Sequence, residues 1–273
     1  MTVPSDLEPV ANGDLSIPNE YDQSPMTPLE NHVAVVTGAS SGIGKAIALH
    51  LSAQGAALCL VGRNNAILQE VAKQVENKSG PSSQIRTYRV DLKTDEEIHR
   101  LQEQIQNDFG AIDVLIHSAG LFYMGRVERE SIQRFDEQYQ VNVRAPYLLT
   151  QAMFPMIRSR AGQVVFINSS VGMKAKAMVS QYAATKHALR AVADSLREEV
   201  NADGVRVLSV YLGRTATQMQ AAIYETEGRV YQPERLMQPE DVAAAVVNAL
   251  ALPRSVEVTD IHIRPLHKAD YNG

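Results

Sequence analysis

Tyr182 and Lys186 stand four residues apart in the run Tyr182-Ala183-Ala184-Thr185-Lys186. On a helix that spacing places both side chains on one face and sets an ammonium beside a phenol. A neighbouring positive charge favours the phenolate, so the phenol's pKa is expected to fall. A phenol that exchanges a proton near neutral pH can serve as a general acid/base. Of the ten tyrosines only Tyr182 has a lysine four positions on. A lone pair of this kind arises easily by chance, and it gains meaning only from the groups around it.

The apolar run 33–36 leads into Thr37-Gly38-Ala39-Ser40-Ser41-Gly42-Ile43-Gly44, and a helical pattern follows. A strand, a glycine-rich turn and a helix start form a phosphate cradle. Glycine permits the tight turn and the close approach of backbone, and the helix N-terminus offers free N–H groups to an anion. Gly38, Ser40, Ser41, Gly42, Ile43 and Gly44 are therefore expected to bind the pyrophosphate of a dinucleotide. Their spacing, G-x-x-x-G-x-G, differs from the commoner G-x-G-x-x-G.

The second strand ends in Val61-Gly62-Arg63-Asn64, without the acidic residue that accepts from the ribose 2′-hydroxyl of NAD. Arg63 is suited to a 2′-phosphate instead, so NADP(H) is expected over NAD(H). The alternative is a solvated turn arginine with slack cofactor preference. Asp91-Leu92, after the third strand, offers a carboxylate to the adenine amino group or to the following helix as a cap. After the fourth strand, His117-Ser118-Ala119-Gly120 supplies small residues that let the chain pass over the cofactor.

These groups need a frame to hold them. From residue 32 onward, short β-branched runs alternate with longer amphipathic segments. Strands are expected at 33–36, 57–61, 85–90, 114–116, 163–167, 205–210 and 256–258. Between them Ile67, Leu68, Val71 and Val75, then Ile98, Leu101 and Ile105, recur at helical spacing. Thr94 with Glu97 reads as a capping box. The alternation predicts an α/β fold with a parallel sheet covered on both faces. Long helices are expected over 130–158 and 181–202. In the second, Ala183, Ala184, Ala188, Leu189, Ala191, Val192, Ala193 and Leu196 occupy more than one face, unlike the single stripe of a surface helix, which suits a subunit interface built from these two helices or, as the alternative, a helix buried within the domain.

Composition sets the bounds. The chain has 273 residues, 45% hydrophobic and 21% charged, with a net charge of -5. That suits a single large globular domain, here 31–273. No basic surplus points to nucleic acid or an anionic membrane. Cys59, the one cysteine, lies in an apolar run and reads as a buried small hydrophobe. No run is long enough to span a bilayer and no signal-peptide pattern opens the chain, so a cytoplasmic protein is expected. No metal set is expected. Residues 1–30, polar, acidic and interrupted by prolines, read as a loosely packed arm.

Taken together, Thr37-Gly38-x-x-x-Gly42-x-Gly44, Asp91, Ala119-Gly120, Asn142, Ser169, Tyr182-x-x-x-Lys186, Gly213 and Thr217 resemble the short-chain dehydrogenase/reductase family over about 32–265. The resemblance implies a Rossmann-like, doubly wound sheet of seven parallel strands in one domain. It also implies a homotetramer or homodimer that moves hydride between NAD(P) and a small alcohol or carbonyl substrate. Tyr182 would then be the acid/base. Lys186 would hold the nicotinamide ribose, and Asn142 a water linking that lysine to solvent. Ser169 would be the donor to the substrate oxygen, with Ser170 as the alternative. Gly213, Thr215 and Thr217 would lie under the nicotinamide.

The chain departs from the family at His117 and Ser118, where two asparagines are usual, and at Leu212, where proline is usual. His117 reads as a core histidine, and Leu212 is expected to loosen the turn. The substrate pocket is expected from loops 121–126, 171–180 and 214–238. The Met-rich second loop, with its two lysines, does not name a substrate. A non-catalytic nucleotide-binding protein on the same fold, or an epimerase or dehydratase using the same tyrosine, are the competing readings.

Overall fold

Seven parallel strands form the centre of the molecule, in the order β3-β2-β1-β4-β5-β6-β7. In the computed structural model, which describes residues 29–79 and 84–266, the chain runs as β1 (Val33–Thr37), α1 (Gly42–Ala53), β2 (Ala57–Gly62), α2 (Asn65–Ser79), β3 (Ile85–Arg89), α3 (Asp95–Phe109), β4 (Val114–His117), α4 (Ile132–Tyr139), α5 (Ala145–Arg158), β5 (Gln163–Ser169), α6 (Ser180–Val200), β6 (Arg206–Leu212), α7 (Gln218–Thr226), α8 (Pro239–Leu250) and β7 (Asp260–Ile263). The arm expected over 1–30 lies outside the described residues except for Leu29 and Glu30, and Leu29 is buried in the core.

Side chains alternate across the strands and split the core in two. Ala34, Val36, Leu58, Leu60, Val165 and Val210 pack against α1, α2 and α8 through residues such as Ile47, Leu51, Val71 and Val246. Val35, Cys59, Val61, Leu115, Val164 and Phe166 pack on the other side against Ile98, Leu101, Leu149, Met153, Leu189 and Ala193 of α3, α5 and α6. Burial on both faces explains why these strands read as near-continuous apolar runs. Connections wind outward on both sides from β1 and β4. Their carboxyl ends therefore part at a crevice, the usual ligand position in such a sheet.

Several expectations need correction. The last strand is Asp260–Ile263, not 256–258. Side chains tie the earlier segment down: the Arg206 guanidinium donates to the Val256 carbonyl at 2.7 Å, and the Glu257 carboxylate accepts from Val207 N–H at 2.9 Å. With Val207 so satisfied, pairing to β7 starts at Ser209. The helical stretch 130–158 is interrupted by a π turn at Gln140–Arg144. Thr94 makes no side-chain cap; Glu97 instead accepts from Asp91 N–H at 2.7 Å. Leu212 does not loosen its turn. It ends β6, paired with Ser169 on one side and Ile263 on the other.

Candidate active site

The glycine turn after β1 is packed too tightly for other residues. Gly38 has φ +66°, and a Cβ there would lie 2.9 Å from the backbone of Ala119. A Cβ on Gly44 would lie 2.4 Å from the Gly38 carbonyl oxygen. The turn is thus pressed against the segment after β4. Thr37 fixes that contact: its hydroxyl donates to the Ile116 carbonyl and accepts from the N–H groups of Ser118 and Ala119. α1 begins at Gly42 with no side-chain cap and no acid in its first turn. Its uncapped N–H groups and the helix dipole suit an anion. These features fit the pyrophosphate of a dinucleotide.

A cleft follows the carboxyl ends of the strands in two parts. One, of about 380 Å³, is lined by Gly38, Ser40, Ser41, Gly42, Ile43, Gly44, Arg63, Asp91, Leu92, Ala119, Gly120 and Thr217 among others. Arg63 stands exposed at its rim. Asp91 accepts from Lys93 N–H at 3.0 Å, closing a tight turn beside Leu92. Tyr123 and Glu137, which the sequence did not single out, also line this part and are hydrogen-bonded to each other at 2.9 Å.

The other part, of about 510 Å³, contains Ile43, Gly120, Ser169, Tyr182, Lys186, Gly213, Thr215 and Thr217. Every residue expected at the site therefore lines the cleft except Asn142, which is buried behind it. Asn142 sits in the π turn, a helix irregularity that often marks functional sites. Its Nδ2 donates to the Leu121 carbonyl at 2.8 Å and to Thr185 Oγ1 at 3.1 Å.

Ser169 ends β5 and lines the same part of the cleft as Tyr182, its hydroxyl accepting from Val171 N–H at 3.4 Å, while Ser170 is exposed in the following 3₁₀ turn. Asn168, also not foreseen, ties this strand end to α6. It accepts from Ser169 N–H at 2.7 Å and donates to the Lys186 carbonyl at 3.1 Å. The only sequence signal for it is its place just before the serine pair. Phe122 meets the Tyr182 ring edge-on at a centroid distance of 4.8 Å.

The expected lowering of the Tyr182 pKa is reversed. Burial pushes the phenol up to about 12, and the nearby Ser169 hydroxyl only partly opposes it. Burial also lowers Lys186 to about 8. The ammonium lies 5.7 Å from the phenol ring centroid and donates to the Ile167 carbonyl at 2.9 Å. Loss of solvation thus outweighs the attraction that spacing alone suggests. His117 is buried, stacked on Phe166 and bonded through Nε2 to Thr150 Oγ1, and burial holds its pKa down at about 3. It is a neutral core residue.

Loops close over the second part of the cleft. Gly125 N–H donates to the Met178 carbonyl at 2.8 Å, joining two of the expected loops, and Met178 takes a left-handed φ of 68° to make that contact. Thr215 forms a bridge with Met237, and Thr217 caps α7 by accepting from Gln220 N–H. Arg214 holds Glu227 with both arms, at 2.9 and 2.6 Å.

Residues 32–228 match the family described as short chain dehydrogenase. An uncharacterized oxidoreductase of Staphylococcus aureus (strain USA300) is 34% identical over 242 residues, spanning 88% of this chain and all of that protein. The alcohol dehydrogenase of the archaeon Thermococcus sibiricus, solved with 5-hydroxy-NADP, superposes with a TM-score of 0.79 at 29% identity, covering 88% of this chain and 99% of that one. A short chain dehydrogenase of Shigella flexneri 2a (strain 301), solved with NADP, does so with a TM-score of 0.79 at 30% identity, over 87% of this chain and 98% of its own. On its sheet order, its glycine turn and these matches, the chain belongs to the short-chain dehydrogenase family of oxidoreductases.

Proposed function

We propose that this protein is an NADP(H)-preferring carbonyl reductase, which in the reverse direction oxidises the matching secondary alcohol. The observation that carries the reading is that Ser169, Tyr182 and Lys186, the last buried one helical turn on from the tyrosine, line one cleft together with the glycine turn. When bound, a nicotinamide dinucleotide supplies or accepts the hydride. Gly38 to Gly44 would hold its pyrophosphate, Arg63 its 2′-phosphate, Asp91 and Leu92 its adenine end, and Lys186 its nicotinamide ribose. Gly213, Thr215 and Thr217 would lie under the nicotinamide. The complexes of the Thermococcus and Shigella relatives with NADP-type ligands support the choice of cofactor.

The chain's own part is to hold the substrate oxygen and move one proton. Ser169 donates a hydrogen bond to that oxygen as negative charge grows on it. Tyr182, with a pKa of about 12, is fully protonated at neutral pH and gives its proton to the oxygen in reduction. Lys186, at about 8, is mostly charged there and favours the phenolate that Tyr182 becomes. Tyr182→Phe tests the assignment: turnover of every carbonyl substrate should vanish while NADPH affinity stays within about twofold. A Phe variant with substantial activity would sink it.

Assembly as a homodimer or homotetramer is part of this reading. Ala184 and Ala191 of α6 are exposed, as is 57% of Tyr147 on α5. A size-exclusion mass of one chain would refute it. Among the described residues no helix is long and apolar enough to cross a membrane.

A further inference from the structure

Phe122 lines the inner part of the cleft and meets the Tyr182 ring edge-on at 4.8 Å. Both rings are held through their neighbours in the chain. On the Phe122 side these are Leu121 and Tyr123; on the Tyr182 side they are Gln181 and, one turn on, Thr185. Two side-chain amides, Gln138 and Asn142, reach all of them. Asn142 pairs with the Leu121 backbone and donates to Thr185 Oγ1. Gln138 accepts through Oε1 from Tyr123 N–H at 3.0 Å and donates through Nε2 to Gln181 Oε1 at 3.1 Å.

Gln138 is fully buried, and no other residue of α4 is buried. An apolar side chain would serve packing alone at that position, because a buried amide costs free energy unless its polar atoms find partners. Both ends of this amide do. Beyond it, Gln181 Nε2 donates to the Ser131 carbonyl at 3.2 Å. A backbone donor at one end of this chain of bonds and a backbone acceptor at the other leave a single arrangement for the two amides. The tie therefore fixes direction as well as distance between the segment after β4 and the first turn of α6, where Tyr182 lies.

We infer that Gln138 is a positioning residue for proton transfer: by tying Tyr123 to Gln181 it sets the Phe122 ring against the Tyr182 phenol and keeps the hydroxyl aligned with the substrate oxygen. This inference rests on the carbonyl-reductase reading above. Gln138 lines neither part of the cleft, so it acts through Phe122 and Tyr182 and not on the substrate itself. A displacement of about 1 Å at a reacting group can cost about 10²-fold in rate, even when the mutated residue is remote from the chemistry.

The test uses the full-length protein with NADPH bound and a saturating ketone, the one that the wild type reduces fastest among straight-chain 2-ketones and aryl methyl ketones. A single turnover of the bound NADPH is followed by absorbance. Gln138→Met keeps the length of the side chain and removes the amide donor and acceptor. Its rate constant should fall about tenfold or more. Amplitude and NADPH affinity should stay within about twofold of wild type. A merely structural defect gives the reverse, a lower amplitude at an unchanged rate constant, because only correctly folded molecules react. Gln181→Leu breaks the same tie from its half-buried end and should slow the rate constant about threefold or more. In a Phe122→Leu background, Gln138→Met should cost no more than about twofold further, since the ring it positions is gone.

Three results would overturn the inference: a wild-type rate constant in folded Gln138→Met, the full Gln138→Met loss retained in the Phe122→Leu background, or NADPH binding weakened about tenfold in Gln138→Met, which would assign the tie to the cofactor. Should Gln138→Met fail to fold, Gln181→Leu decides, and an unchanged rate constant there would overturn it equally. Any of these alongside normal ketone reduction by the wild type leaves the reductase reading standing. Absence of ketone reduction by wild-type protein that binds NADPH would remove both.

Discussion

The side-chain amide of Asn142 pairs with both backbone groups of Leu121, accepting from its N–H and donating to its carbonyl, each at 2.8 Å. One buried side chain on a π turn thereby fixes the segment after β4 on which the cleft depends. Asn142→Ala removes these two bonds and a third to Thr185, and leaves part-buried backbone groups of Leu121 unpaired. A loss of about 2–4 kcal/mol in denaturant unfolding is expected. Stability unchanged within experimental error would mean that the clasp is not needed.

Ser169→Ala removes the hydroxyl that lines the cleft with Tyr182. Loss of a donor placed where oxygen charge develops should lower kcat by about 10²-fold or more. Ser170→Ala, at an exposed turn position, should change kcat little. The opposite pattern in steady-state rates would transfer the role to Ser170.

Lys186 is 4% exposed, and burial lowers its pKa from the ordinary 10.5 to about 8. Below pH 8 the folded protein must bury the ammonium, which costs about 3 kcal/mol at order of magnitude. Between pH 8 and 10.5 the unfolded chain binds the proton that the folded chain releases, so this group's contribution to stability rises with pH. Lys186→Met should therefore be inactive yet more stable than wild type at pH 7, with the gain shrinking toward pH 10.5. Unfolding curves across that range check it; a gain independent of pH would mean that charge burial is not the cause.

Arg63→Ala should weaken NADPH binding by about 2 kcal/mol, some 30-fold, through loss of a charge-assisted bond to phosphate. NADH binding should change little. Equal loss for the two cofactors in fluorescence titrations would show that Arg63 does not read the 2′-phosphate.

The sequence by itself determined the strand–helix alternation and the glycine turn. It also determined which tyrosine and lysine share a helical face. These are local properties: a period of two or 3.6, or a residue type that alone fits a turn, is written over a few consecutive positions. Even the 13-residue separation of Ser169 and Tyr182 was readable, but only through family resemblance. The tertiary structure decided the rest. The last strand moved from 256–258 to Asp260–Ile263 because the Arg206 and Glu257 side chains take up the Val256 carbonyl and the Val207 N–H, groups that lie far apart in sequence. The Tyr182 phenol rose in pKa where spacing to Lys186 predicted a fall, because desolvation depends on every segment that fills the surrounding volume. For the same reason the tie from Gln138 to Tyr123 and Gln181 is visible only in three dimensions: which partners a buried amide meets is decided by what the whole fold brings within reach of it.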